Sequence, residues 1–181
     1  MTRSSLVFGT DSTVAERVLV FVAAATGLAI WIPTALGEPW PWWLWLVGAV
    51  VVFDLTGGVV SLGLDAAKRF HRTPPPEPRT RIQRLLHDKV GFAAVHVQPI
   101  AVGLLFGGPW WWGLLWYGWA LAGVLLVGRV PAHLARPVGL LVLLAGLMTA
   151  PAVPAPAGFG WLPAVLLLKL VVGHAVPEQP R

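Results

Sequence analysis

The 181-residue chain has no cysteine and no asparagine, one tyrosine and two methionines. Without cysteine there is no disulfide, no thiolate metal ligand and no cysteine nucleophile. The missing asparagine accompanies an excess of Arg over Lys and plentiful Ala, Gly, Pro and Val. That pattern fits a codon bias and carries no functional weight. Charge is scarce too. Asp, Glu, Lys and Arg make up 12% of the chain, against about 25% in a soluble domain. Also absent are the ~10-residue alternating segments of a transmembrane barrel, a phosphate-cradling glycine loop and a GxSxG elbow. No HxxxH or HExxH pairing occurs, and the multi-histidine signature of membrane desaturases and hydroxylases is missing.

What is present is apolar. Hydrophobic residues make up 56% of the chain, and the mean hydropathy is +0.72. At ~20 residues per span this length accommodates one helical bundle of six or seven spans at most. The reading is an all-α polytopic membrane bundle of six transmembrane helices in a single domain, 1–181. The expected spans are 14–36, 41–66, 90–107, 109–128, 131–150 and 160–176, with a basic, proline-rich loop over 67–89. "TVAE" at Thr13–Glu16 predicts a capping box at the start of the first span. The apolar run after it is longer than the 7–15-residue core of a signal peptide. Pro137 is expected to kink a fifth helix that begins near Pro131, and Gln98–Pro99 to make the third helix polar and bent.

Basic residues set an orientation. The second connection carries Lys68, Arg69, Arg72, Arg79, Arg81, Arg84 and Lys89, whereas "GEPW", "GGP" and "PAVPAPAG" have no Lys or Arg. Every loop obeys the positive-inside rule if both termini are cytoplasmic in a plasma (inner) membrane. The net charge of +5 then points to anionic lipid headgroups at the basic loop rather than to nucleic acid. Trp31, Trp40, Trp42, Trp43, Trp45, Trp110, Trp111, Trp112 and Trp161 all fall near the expected outer interface, where an aromatic belt anchors a bundle.

One charge breaks the second apolar run. In "VVFDLTGG" (51–58), Asp54 falls near the middle of the span, where a carboxylate costs roughly 2.5–3.5 kcal/mol on insertion scales. It is expected to face the bundle interior. At 100° per residue, Gly58, Ser61 and Asp65 share its direction. Gly57 and Gly58 would admit a neighbouring helix or a substrate at close range. His96, in the third span, is one candidate partner of Asp54 and a candidate proton carrier. Lys169, in the sixth, either snorkels to the inner headgroups, binds a lipid phosphate or pairs with Asp54.

All five histidines map to the cytoplasmic half. A divalent metal there would need ligands from different elements, His71, His87 and His174. His87 and His96 on one continuous helix would point ~180° apart and sit ~13 Å apart along it.

Three function classes follow. The first is a small membrane enzyme on a lipid or lipid-soluble substrate. It assigns Asp54, His96 and Asp65 to the chemistry, and Gly57, Gly58, Ser61, Arg69, Arg72 and Lys169 to substrate binding. The second is a proton- or ion-coupled carrier, a homodimer in this reading, that titrates Asp54. The third is a scaffold or assembly subunit in which Asp54 and the glycines are packing contacts. No inverted repeat supports the carrier.

Overall fold

The computed structural model describes residues 12–64 and 88–177. The described chain folds as six helical segments, with no strand among the described residues. They are α1 (Val14–Ala35), α2 (Trp42–Gly63), α3 (Lys89–Leu105, in two halves), α4 (Trp110–Arg129), α5 (Ala132–Thr149) and α6 (Leu162–Ala175). α1, α2, α4 and α5 (to Ala152) are long and apolar enough to cross a membrane, while α3 and α6 are shorter. The six expected segments are all present, at bounds close to those read from the apolar runs. Of the basic loop, only Asp88 and Lys89 fall among the described residues.

The helix ends follow local chemistry. Thr13 Oγ1 accepts from the Glu16 backbone N–H at 3.2 Å, and the Glu16 carboxylate accepts from the Thr13 N–H at 2.7 Å. This is the predicted capping box, and it satisfies two amides that the first turn leaves open. Proline precedes α2, α4 and α5 as the N-cap residue, and Pro137 lies inside α5.

Helix α6 occupies the centre. Leu162, Leu166, Leu167, Leu170, Val171 and Ala175 are each at most 1% exposed. They pack against α2, α4 and α5. Helix α1 is peripheral and packs chiefly on α2. Close approach replaces the hydrophobic effect as the organising contact, because lipid tails are as apolar as the core. Gly57 of α2 seats Ala24 and Val20 of α1, and Gly113 of α4 lies on the Pro99–Ile100 backbone of α3.

Two expectations need correction. Helix α3 is not one bent helix. It is two short ones, Lys89–Ala94 and Gln98–Leu105, interrupted at Val95–Val97. Pro99, near the start of the second half, has no N–H to extend the first. The Val95 carbonyl that this leaves open accepts from Val97 N at 3.0 Å, and the other carbonyls at the break are matched too: Ala93 O accepts from His96 N at 3.1 Å, and Ala94 O accepts from the Tyr117 hydroxyl at 2.8 Å. The tryptophans are not all anchors either. Trp42 and Trp110 are 78% and 67% exposed, but Trp31, Trp112 and Trp116 are buried. Trp31 stacks on Trp40 at 6.2 Å and meets the edge of Trp45 at 5.5 Å. Phe159 joins the same cluster. Indole rings that find ring partners inside the protein gain packing that an interface cannot offer.

A polar site between α2, α3 and α6

Asp54 lies midway along α2, and its partner is Lys169. The two side chains form an ion pair at 2.8 Å between Lys169 Nζ and Asp54 Oδ2. Lys169 Nζ also donates to the backbone carbonyl of Asp54 at 3.1 Å. A second neighbour, Gln98 Nε2, donates to the same Oδ2 at 2.9 Å. Three separate helices therefore converge on one carboxylate oxygen. Of the three fates open to Lys169 in the sequence, the structure selects the pair: the residue is buried and does not snorkel. A long side chain deep in a bundle with a carboxylate in reach satisfies its charge locally.

Gly58 explains how Lys169 gets there. A Cβ at position 58 would stand 2.5 Å from Lys169 Cε and 2.7 Å from its Nζ. The bare glycine is the slot through which the lysine passes to reach Asp54, one turn away. The two glycines thus divide their work, Gly57 towards α1 and Gly58 towards α6.

The backbone of α6 is also unusual at this point. Leu168–Ala175 winds as a π-helix, with Lys169 in its first turn. Wide turns of this kind are rare overall and frequent at functional sites. At the far end, Lys89 Nζ donates to the Ala175 carbonyl at 3.0 Å.

His96 is not the partner of Asp54. It sits at the break in α3, 6% exposed, and its Nδ1 lies 2.7 Å from the Phe92 carbonyl. A carbonyl only accepts, so Nδ1 carries the proton and, in the neutral ring, Nε2 carries the lone pair. At the interruption the ring lies along its own helix, on the carbonyl four residues earlier. Phe92 lies against His96 at 4.7 Å and stacks on His174 at 4.0 Å and 26°. His174 is thus held by an aromatic face. Among the described residues no group of three His, Cys, Asp or Glu side chains forms a metal-binding cluster. The remaining metal candidates, His71 and His87, lie outside the described residues, as do Asp65, Arg69 and Arg72.

These groups border a cavity of about 540 Å³ between α1, α2, α3 and α6. Asp54, Gly57, Gly58, Ser61, His96 and Lys169 all line it. As far as Ser61, the expected stripe on α2 is therefore the polar wall of a pocket. The remaining wall is apolar and includes Val20, Leu28 and Phe53. At its rim Val50, Phe53 and Val95 are 60%, 43% and 41% exposed. Val50 and Phe53 lie in the middle of α2 and Val95 at the central break of α3, so the opening faces the side of the bundle. The Asp54 side chain is 44% exposed and that of Lys169 only 4%. The carboxylate thus fronts the cavity and the ammonium sits behind it.

No protein-family model, curated protein or solved structure matches this chain. The geometry of the site is what bears on function.

Three contributors were hidden in the sequence. Gln98 was visible only as a polar residue beside a proline, with no sign that it reaches Asp54. Tyr117 was visible only as the single tyrosine. Phe92, between two histidines in space, was one apolar residue among many. A second cavity, about 600 Å³, lies between α4 and α5 and is lined by Leu, Val, Ala, Gly and Trp119 alone.

Proposed function

We propose that this chain is a small membrane enzyme that acts on a lipid-soluble substrate, admitted sideways from the bilayer into the pocket between α1, α2, α3 and α6. The observation that carries the reading is an ion pair and a histidine set in one wall of an otherwise apolar, laterally open cavity. Its volume falls in the usual range for small-molecule sites. Apolar walls recruit the body of such a substrate, and the few polar groups orient its reacting end. His96, through Nε2, is the candidate general base. The Asp54–Lys169 pair holds the polar wall in place and polarises what lies against it. The location that fits is a plasma (inner) membrane with both termini cytoplasmic, supported by the one-sided distribution of Lys and Arg. Anionic headgroups would then meet the basic loop.

The test compares total lipid extracts from cells expressing the wild-type protein, Asp54→Ala and His96→Ala at equal membrane abundance. The expected result is a lipid species whose level follows wild-type expression and reverts in both variants. Lipid profiles that are identical across all three would refute the enzyme.

A second reading has its own support. A broken helix beside a mid-span ion pair is the arrangement by which carriers build ion sites. A proton-coupled carrier, dimeric or not, predicts pH-dependent solute uptake into proteoliposomes that Asp54→Asn abolishes. Uptake that persists in Asp54→Asn removes this alternative.

A further inference from the structure

The hydrogen-bonding valence of the pocket wall specifies the head of the molecule it takes. This inference rests on the pocket being a site for a lipid-soluble molecule and adds the chemical class. Asp54 Oδ2 already accepts from Lys169 and Gln98, while Oδ1 takes no hydrogen bond among the described residues. The His96 ring uses Nδ1 on the Phe92 carbonyl, which leaves Nε2 as an acceptor with no partner among the described residues. Gln98 Oε1, on the residue that braces the pair, is buried and likewise without a donor. Ser61, the hydroxyl in the lining, already has a partner. Lys169 offers little: two of its three N–H groups are committed to Asp54, and the residue is 3% exposed. The wall therefore presents two open acceptors, Asp54 Oδ1 and His96 Nε2, against one remaining Lys169 N–H that is enclosed.

We infer that the pocket binds an uncharged, hydroxyl-headed apolar molecule, a long-chain or polycyclic alcohol or phenol, whose O–H donates to Asp54 Oδ1 or His96 Nε2. An anionic head, such as a phosphate monoester, meets the exposed carboxylate before it meets the enclosed ammonium. Unmatched like charge in a low-dielectric site is strongly unfavourable. A protonated amine would supply donors, but it would place a second cation beside Lys169. A neutral hydroxyl satisfies the open acceptors without adding charge. Under this inference Lys169 would brace Asp54 rather than hold an anionic headgroup.

The experiment uses the purified full-length chain in phosphatidylcholine nanodiscs and three diazirine-bearing hexadecyl probes: the alcohol, its phosphate monoester and its amine. Photolabelled peptides are mapped by mass spectrometry at equal probe mole fraction. The expected result is labelling around Phe53 and Val95 by the alcohol about fivefold or more above either charged probe, the ratio for one hydrogen bond of about 1 kcal/mol. Val50→Trp, which fills the mouth and leaves the ion pair intact, should abolish that labelling. Asp54→Asn, which removes the negative charge from the pocket wall, should transfer the preference to the phosphate. Wild-type labelling by the phosphate or the amine equal to that by the alcohol would overturn the head assignment while leaving the lipid pocket standing. If no probe labels the pocket above the lipid-facing surface of α5, the pocket reading falls with it.

Discussion

Replacing Asp54 with leucine should destabilise the protein more than replacing its partner Lys169 with methionine, although both changes break the same 2.8 Å ion pair. The asymmetry comes from burial. Lys169 is 3% exposed, so Asp54→Leu strands an ammonium that has no other carboxylate in the bundle interior among the described residues. Breaking a buried pair in this way costs about 3–5 kcal/mol. The Asp54 side chain is 44% exposed to the cavity and keeps its Gln98 hydrogen bond. Lys169→Met retains the length of the side chain through the Gly58 slot, so about 1–2 kcal/mol is expected, near the value of one charge-assisted hydrogen bond. The double variant removes both charges and replaces them with apolar groups. It should recover to within about 1–2 kcal/mol of the wild type, since apolar substitutes for a buried pair are often neutral. The measurement is equilibrium unfolding in mixed micelles of a mild detergent and dodecyl sulfate, followed by the fluorescence of buried tryptophans such as Trp31, Trp112 and Trp116. Equal losses in the two single variants, or a double variant worse than Asp54→Leu, would refute the reasoning.

Three further outcomes follow from the packing. Gly58→Ala puts a methyl group where Lys169 Cε passes. It should cost about 1–3 kcal/mol as overpacking in the same unfolding measurement, and a variant as stable as the wild type would refute the slot. Gly113→Ala drives a Cβ into the Pro99 carbonyl, which is backbone and cannot swing aside, whereas Gly118 on the same helix faces open space. Unfolding measurements should show a loss of 1–3 kcal/mol or more at 113 and no loss at 118; equal effects would place the α3–α4 contact wrongly. Tyr117→Phe removes the donor to the Ala94 carbonyl. It should lower stability by about 1–3 kcal/mol and speed hydrogen exchange at the α3 break, and unchanged exchange there would sink the idea that the hydroxyl holds the break.

The helical segments, the capping box at Thr13, the inward-facing Asp54 and the small-residue face of α2 as far as Ser61 were all legible in the sequence. Each is a local property, set by runs of apolar residues, by helical angles within one segment, or by a charge where lipid disfavours one. The partner of Asp54 was not legible. Lys169 lies 115 residues away, and in a bundle bathed in lipid the inward and outward faces of a helix are both apolar. Periodicity then no longer reports which face meets which neighbour, as it does for an amphipathic helix in water. The same blindness assigned Trp31 to a membrane interface, when it is buried among other rings.

What the sequence by itself determined is the class of the molecule and the place of its anomaly: an apolar helical bundle with one carboxylate in mid-span and a glycine beside it. Only the tertiary structure decided that Lys169 answers that carboxylate through the gap at Gly58. Only it broke α3 so that His96 turns to Phe92, and left the exposed edge of Asp54 facing an apolar cavity. The physical reason is that lipid imposes its constraints segment by segment through hydropathy, whereas pairing depends on how the segments cross, and that is settled by close packing of side chains distant in the chain.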